Sequence, residues 1–224
     1  MRKGPKRKPI NYRLALPGST SAASADSAPV PPLPVGQAVA ALPGQYLRVL
    51  TRPSSSTFLE EKDKGSWALV WIQLLGSITL GIAIRLFTAS VSAQGVAPNI
   101  LRDQLLALLL GGPLVFLLSV GIQYGVARWF SAEKAGTYLA QCYTTLLFGV
   151  PLGIVASLFA FIPGMGRWLY AAVGFYELGL TTLAIKAVHH VGGGKALLAT
   201  LAPMGLIIVF AGCVFGFLVV VRPG

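Results

Sequence analysis

Glu177 is the acidic residue of this 224-residue sequence whose position calls for a chemical explanation. It lies near the middle of an apolar run, 168–188, that is long enough to cross a bilayer. A carboxylate there costs about 3 kcal/mol on insertion scales, so it must be protonated or paired with a group on another helix. Two interpretations stay open. Glu177 could be a proton or cation relay or a substrate contact, or it could hydrogen-bond another helix structurally, through Gln73, Gln141, Thr144, Thr145 or Tyr176.

Other residues that could do chemistry lack the required spacing. His189 and His190 are adjacent, so on a helix they point about 100° apart and could not easily share one metal ion. Cys142 and Cys213 lie in apolar runs without a CxxC pair. The GGGK sequence ending at Lys195 lacks the spacing and the hydroxyl residue of a phosphate-binding loop. We predict no metal and no cofactor.

Catalytic motifs are also missing from the sequence. It has no HExxH, no GxSxG and no second acid within an apolar run that could pair with Glu177. We therefore predict a protein that is not an enzyme.

Composition indicates a membrane protein. Hydrophobic residues make up 54% of the chain and charged residues 11%, whereas soluble domains carry about 25% charged residues. Five apolar runs of spanning length follow one another at about 67–88, 105–127, 138–161, 168–188 and 197–221. They predict an all-α membrane protein whose residues 66–224 form a five-transmembrane-helix bundle in contact with the lipid bilayer.

The residues before the first run have a different composition. Residues 1–45 are basic and rich in Pro, Ala and Ser, which predicts a disordered N-terminal arm. Residues 46–65 read as an amphipathic juxtamembrane segment. Cations in both parts could contact anionic lipid at the membrane surface: Arg2, Lys3, Lys6, Arg7, Lys8, Arg48 and Arg52.

The charge pattern predicts an orientation. The net charge of +11 fits the excess of cations that flanks membrane spans on the cytoplasmic side, so nucleic-acid binding is not expected. If the N-terminus is cytoplasmic, eight cations in short loops or beside the first span lie on that side and four on the other. We therefore expect a multi-pass protein of the cell membrane with a cytoplasmic N-terminus and, after five spans, an outside C-terminus.

Several ordered pieces of the chain resemble the Yip (Ypt-interacting protein) family of five-span membrane proteins. The resemblance covers about residues 46–221. It rests on YLRVLTRPSSSTFLEE before the first span, YTTLLFGVPLGI in the third, the IPGMG turn, and IKAVHHVGGGKALLATLAP leading into the last. The positions that match the family pattern, expected to act mainly through shape, are Pro151, Pro163, Gly164, Gly166, Lys186, His189 and Lys195.

The resemblance implies five helices, an inner N-terminal arm and no catalysis. For eukaryotic members it implies contact with small GTPases, together with a DLYGP-type motif before the first span. Residues 40–65 lack that motif, so the chain is similar to the prokaryotic branch. We expect a membrane organiser or partner-recruiting module that binds a protein through its arm. The alternative is a small transporter or channel subunit that uses Glu177, and a homo-oligomer is compatible with either.

Overall fold

The computed structural model of the protein describes residues 34–91, 98–131, 135–159, 162 and 164–221, and all regular structure in these ranges is helical. The predicted all-α class is confirmed. Pro163 and the cations at positions 2, 3, 6, 7 and 8 lie outside the described residues.

Among the residues that the structure describes, five helical stretches are long and apolar enough to cross a membrane, as predicted. They are Trp67–Phe87, Arg102–Ser131, Tyr138–Phe159, Gly166–His189 and Gly193–Cys213. The helices containing them are α3 (Trp67–Val91), α4 and α5 (Pro98–Leu106 and Gly112–Ser131), α6 (Tyr138–Phe159), α7 (Gly166–His189) and α8 (Gly193–Val221). We call the end of the bundle where α3, α6 and α8 begin the basic end.

A π-helical turn, Ala107–Gly111, joins α4 to α5 within the second span. Pro113 follows this turn and has no amide hydrogen to donate to the carbonyl of Leu109, and its ring would crowd that carbonyl in a regular α-helix. The wider turn accommodates the proline, and the span stays continuous.

The turn between α6 and α7 depends on glycine. Gly164 has φ +75°, a left-handed conformation that favours glycine, and the amide of Gly166 donates to the carbonyl of Ile162 at 2.9 Å. This turn reverses the chain, and α7 then packs along α6.

Residues 35–65 differ from the predicted division into a disordered arm and a surface segment. They form α1 (Val35–Thr51), α2 (Ser55–Glu61) and a short 3₁₀ turn, Lys62–Lys64. Leu42 and Val49 lie on the same face of α1 and are buried against the bundle. The Pro/Ala-rich composition up to residue 45 suggested disorder, but this helical spacing of apolar residues lets α1 pack.

The α1–α2 hairpin (residues 35–61) lies along the bundle rather than flat across its end. Near its turn, the carbonyl of Leu50 accepts a hydrogen bond from the Tyr176 hydroxyl at 2.6 Å, and Tyr176 lies near the middle of α7. In α2, Phe58 packs edge to face with Phe148, which is ten residues, or about 15 Å, along α6. The hairpin turn is therefore level with the middle of the bundle.

The core is centred on the first half of α6, which packs against α1, α3 and α7, while α8 packs against α5 and α7. Tyr143, Leu147 and Phe148 of α6 are fully buried. Close backbone approach occurs beside this core: a Cβ added at Gly136 would overlap the carbonyl oxygen of Val188.

We predict that Gly136→Ala destabilises the bundle by about 2 kcal/mol, because the added methyl group meets backbone atoms that cannot rotate away. The measurement is the thermal unfolding midpoint in detergent. Gly125→Ala is the matched control, since a Cβ there has no atom within 4 Å. Equal midpoints for the two variants would contradict the close packing at Gly136.

Candidate functional site

A cavity of about 690 Å³ opens between α3, α4, the π-helical turn, α5, α6 and α7, and we call it the crevice. Its volume is within the range of about 300–1,000 Å³ typical of small-molecule sites. Most of its wall is apolar, with a few polar residues, and Glu177 and Arg85 are the charged residues among those that line it. The crevice brings the predicted candidate Glu177 together with a cation that the sequence did not single out.

The Glu177 carboxylate faces the crevice at the level of Gly149. A Cβ added at Gly149 would lie 4.0 Å from Oε1 of Glu177. Within the described ranges, no side chain donates a hydrogen bond to this carboxylate, although the backbone carbonyl of Glu177 accepts from Thr181 at 2.8 Å.

The groups suggested from sequence as structural partners of Glu177 make other contacts. Thr144 donates to the backbone of its own helix, and Gln141 bonds His189. Gln73 accepts from Tyr46, and Tyr176 donates to Leu50. Thr145 shares the crevice wall with Glu177. The interpretation of Glu177 as an interhelical structural bond therefore finds no partner among these five residues.

Arg85 lies at the other end of the crevice. Helices α3 and α6 both run away from the basic end, so Arg85 and Ser157, the last lining residues of each, lie towards the opposite end. Ser157 is eight residues, or about 12 Å, beyond Gly149 on α6. The Arg85 guanidinium donates to Oε1 of Gln104 at 3.4 Å, and no carboxylate of the described residues pairs with it.

Glycines make room for the crevice on α6. Gly149 and Gly153 have the GxxxG spacing that often lets helices approach closely. Both line the crevice instead, and a Cβ added at Gly153 would have no atom within 4 Å. Pro151 lies between them and removes the hydrogen bond that the carbonyl of Leu147 would otherwise accept. This part of α6 thus presents small side chains to the open space.

A second polar site, which the sequence did not reveal, fixes the α1–α2 hairpin. The Glu61 side chain is fully buried, with 0% exposure, and its carboxylate binds Arg48 at 3.1 Å and Lys64 at 3.0 Å. Glu60 is 65% exposed and lies 3.7 Å from the same arginine. Two adjacent glutamates in a polar segment gave no signal of which one is buried, because that depends on how α2 packs.

Hydrogen bonds to the spans complete the attachment of α1. Gln45 accepts from the Tyr143 hydroxyl at 2.7 Å. The Tyr46 hydroxyl donates to Gln73 at 3.1 Å, and burial raises the pKa of Tyr46 to about 12. Arg52, a predicted surface cation, is exposed beside the hairpin turn, while Arg48 is in the Glu61 cluster.

His189 forms a buried polar contact at the basic end. Its Nε2 lies 2.6 Å from Oε1 of Gln141, and its ring packs against Tyr124 at 5.5 Å between centroids. The neighbouring His190 has φ +53° and ends α7 in a left-handed conformation. His189, on α7, therefore contacts α6 through Gln141 and α5 through Tyr124.

The remaining pattern positions are dispersed. Gly166 is buried at the start of α7, Lys186 is exposed near its end, and Lys195 lies 5.8 Å from the Phe130 ring centroid.

In the part of the chain that the structure describes, no group of three or more His, Cys, Asp or Glu residues could hold a metal ion.

Compared with models of protein families, the chain matches the Yip1 domain over residues 47–215, from within α1 to α8. Comparison with curated proteins and with solved structures gives no match.

We predict that Glu61→Ala detaches α1 from α2. The substitution leaves Arg48 and Lys64 without their shared buried carboxylate. The expected loss is about 2 kcal/mol, less than the roughly 3–5 kcal/mol of a fully buried pair, because both cations are half-exposed. Tryptic cleavage after Arg48, beside the buried Val49, should become at least tenfold faster.

Glu60→Ala is the matched control for this experiment, because it removes the exposed neighbour of the same arginine. Its cleavage rate should stay within about twofold of the original protein, as expected for a surface ion pair. Similar rates for the two variants would contradict a special role for the buried carboxylate.

Proposed function

The chain belongs to the Yip1 domain family, and on this premise we propose that it is a non-enzymatic membrane organiser that recruits a protein partner through its N-terminal arm. The observation that carries the proposal is the docked α1–α2 hairpin. Glu61 and Tyr143 hold α1 firmly against the spans, so the start of α1 at Val35, to which the arm is joined, is anchored to the bundle. The lack of catalytic motifs in the sequence supports the non-enzymatic role.

The proposed orientation places the basic end and the arm in the cytoplasm and the C-terminus outside. Of the described cations, Lys62, Lys64, Arg128, Lys186 and Lys195 belong to helix termini or turns at the basic end. Those towards the opposite end are Arg85, Arg102 and Arg167. An excess of cations on one side favours the cytoplasm for that side. The five cations within residues 1–8 would add attraction to anionic lipid there.

A second function, transport of a proton or small cation, is favoured by one specific observation. Glu177 faces the crevice without a hydrogen-bond donor among the described side chains. Carboxylates at such depth commonly belong to ion or substrate pathways. Transport by the spans and recruitment by the arm use different parts of the chain, so they can be tested separately.

We predict that deleting residues 1–34 removes at least nine-tenths of the specific partner captured from native membranes, measured by quantitative mass spectrometry. The deletion ends at Pro34 because α1 begins at Val35 and packs on the bundle. A full-length variant with glutamine at positions 2, 3, 6, 7 and 8 separates the effect of charge from that of sequence. An unchanged partner set after the deletion would exclude recruitment by the arm.

For transport, we predict that Glu177→Gln lowers proton flux into proteoliposomes at least tenfold, since the amide cannot carry a proton on and off at this site. Glu60→Gln is the control, because Glu60 is exposed on α2 and does not line the crevice. Equal flux through both variants, or wild-type flux no greater than that of empty liposomes, would exclude the transport candidate.

A further inference from the structure

We propose that the crevice binds the headgroup of a phospholipid that carries a primary amine, with the phosphate at Arg85 and the ammonium group at Glu177. This site is independent of the arm, and it does not require transport. The inference rests on the position of the crevice, on its two charges and on the hydrogen-bonding chemistry of its wall.

The position of the crevice favours a ligand that comes from the bilayer. Its lining residues belong to membrane-spanning helices and extend from Thr145 to Ser157 on α6, or about 18 Å. Arg85 lies six residues before the end of α3, near the level where lipid phosphates are expected. Apolar side chains such as Ile78 and Leu108 form much of the wall, which suits an amphiphile.

The two charges favour a zwitterion. An anion bound at Arg85 would leave the Glu177 carboxylate unpaired in a medium of low polarity, and a cation at Glu177 would leave Arg85 unpaired. A ligand with both charges pairs both side chains at once. The guanidinium suits phosphate in particular, because its planar set of N–H donors can bind two phosphate oxygens.

The spacing of the two side chains fits this assignment. The Glu177 carboxylate lies at the level of Gly149, and the helical distance of about 12 Å from there to the level of Ser157 is reduced by the reach of the long Arg85 side chain. Gly149 and Gly153 leave the space between them open. The amine would then lie deeper than the phosphate, and the acyl chains would extend towards the lipid.

The chemistry around Glu177 selects a primary amine over a quaternary one. A primary ammonium group donates hydrogen bonds to a carboxylate, whereas a quaternary group has no hydrogen to donate and is usually held by several aromatic faces. The aromatic residues of the crevice wall are Phe116 and Tyr170, and Tyr170 is seven residues, or about 10 Å, from Glu177 along α7. The group that would contact the amine is therefore the Glu177 carboxylate, whose acceptor oxygens can accept hydrogen bonds from a primary ammonium group.

The test is native mass spectrometry of the full chain after delipidation and incubation with phosphatidylethanolamine, phosphatidylcholine or phosphatidylglycerol of identical acyl chains. We expect at least fivefold more retained phosphatidylethanolamine than either of the others. This comparison uses the unaltered protein and so does not depend on any variant folding. Equal retention of the three lipids would overturn the proposal.

Variants assign the two contacts. Glu177→Gln should abolish the preference for phosphatidylethanolamine, and Arg85→Gln should lower the retention of all three lipids about tenfold. Gly153→Leu should exclude lipid by filling the crevice, where an added Cβ has open space. Arg167→Gln is the control, because Arg167 is an exposed cation near the same end of the bundle but does not line the crevice. If Arg167→Gln lowers retention as much as Arg85→Gln, the binding is to surface charge and the proposal fails.

Discussion

The hydrocarbon interior of a bilayer offers no hydrogen-bond partners, so each polar group within the spans must find one in the protein or in a ligand. This constraint accounts for several of the contacts between spans. The Tyr138 hydroxyl donates to the carbonyl of Leu117 at 2.7 Å, and Thr182 and Thr200 join α7 to α8 at 3.2 Å. His189 and Gln141 join α7 to α6 in the same way. Helices that have little hydrophobic reason to associate in lipid are thus connected by a small number of directed bonds.

The same constraint shows how the carboxylates of Glu61 and Glu177 differ. Glu61 is fully buried and has two cations within 3.1 Å, so its charge is balanced within the protein. Glu177 faces open space, and none of the described side chains donates to its carboxylate. A fully paired carboxylate is suited to holding a fold together, whereas an unpaired one beside a cavity is available for a ligand. This difference in environment, rather than residue type, distinguishes the structural site from the candidate binding site.

The sequence was sufficient for the five spans, because about twenty consecutive apolar residues leave few alternatives. The turn at Gly164 could also be recognised, because glycine favours turns. Glu177 could be recognised because an acidic residue within a membrane span is costly. The α1–α2 hairpin could not, because its composition resembles a linker and its packing depends on residues far along the chain, such as Tyr143 and Tyr176. The crevice could not be predicted from the sequence either, because glycines at the spacing of Gly149 and Gly153 occur both in packed helix interfaces and beside cavities.

The contacts of α7 connect the hairpin to the crevice. Tyr176 and Glu177 are adjacent on α7, so their side chains leave the helix about 100° apart. Tyr176 bonds the carbonyl of Leu50 near the hairpin turn, while Glu177 faces the crevice. Any rotation of α7 that moved Glu177 would have to break or bend the bond from Tyr176 to α1. The docking of the hairpin therefore restrains the segment of α7 that carries Glu177.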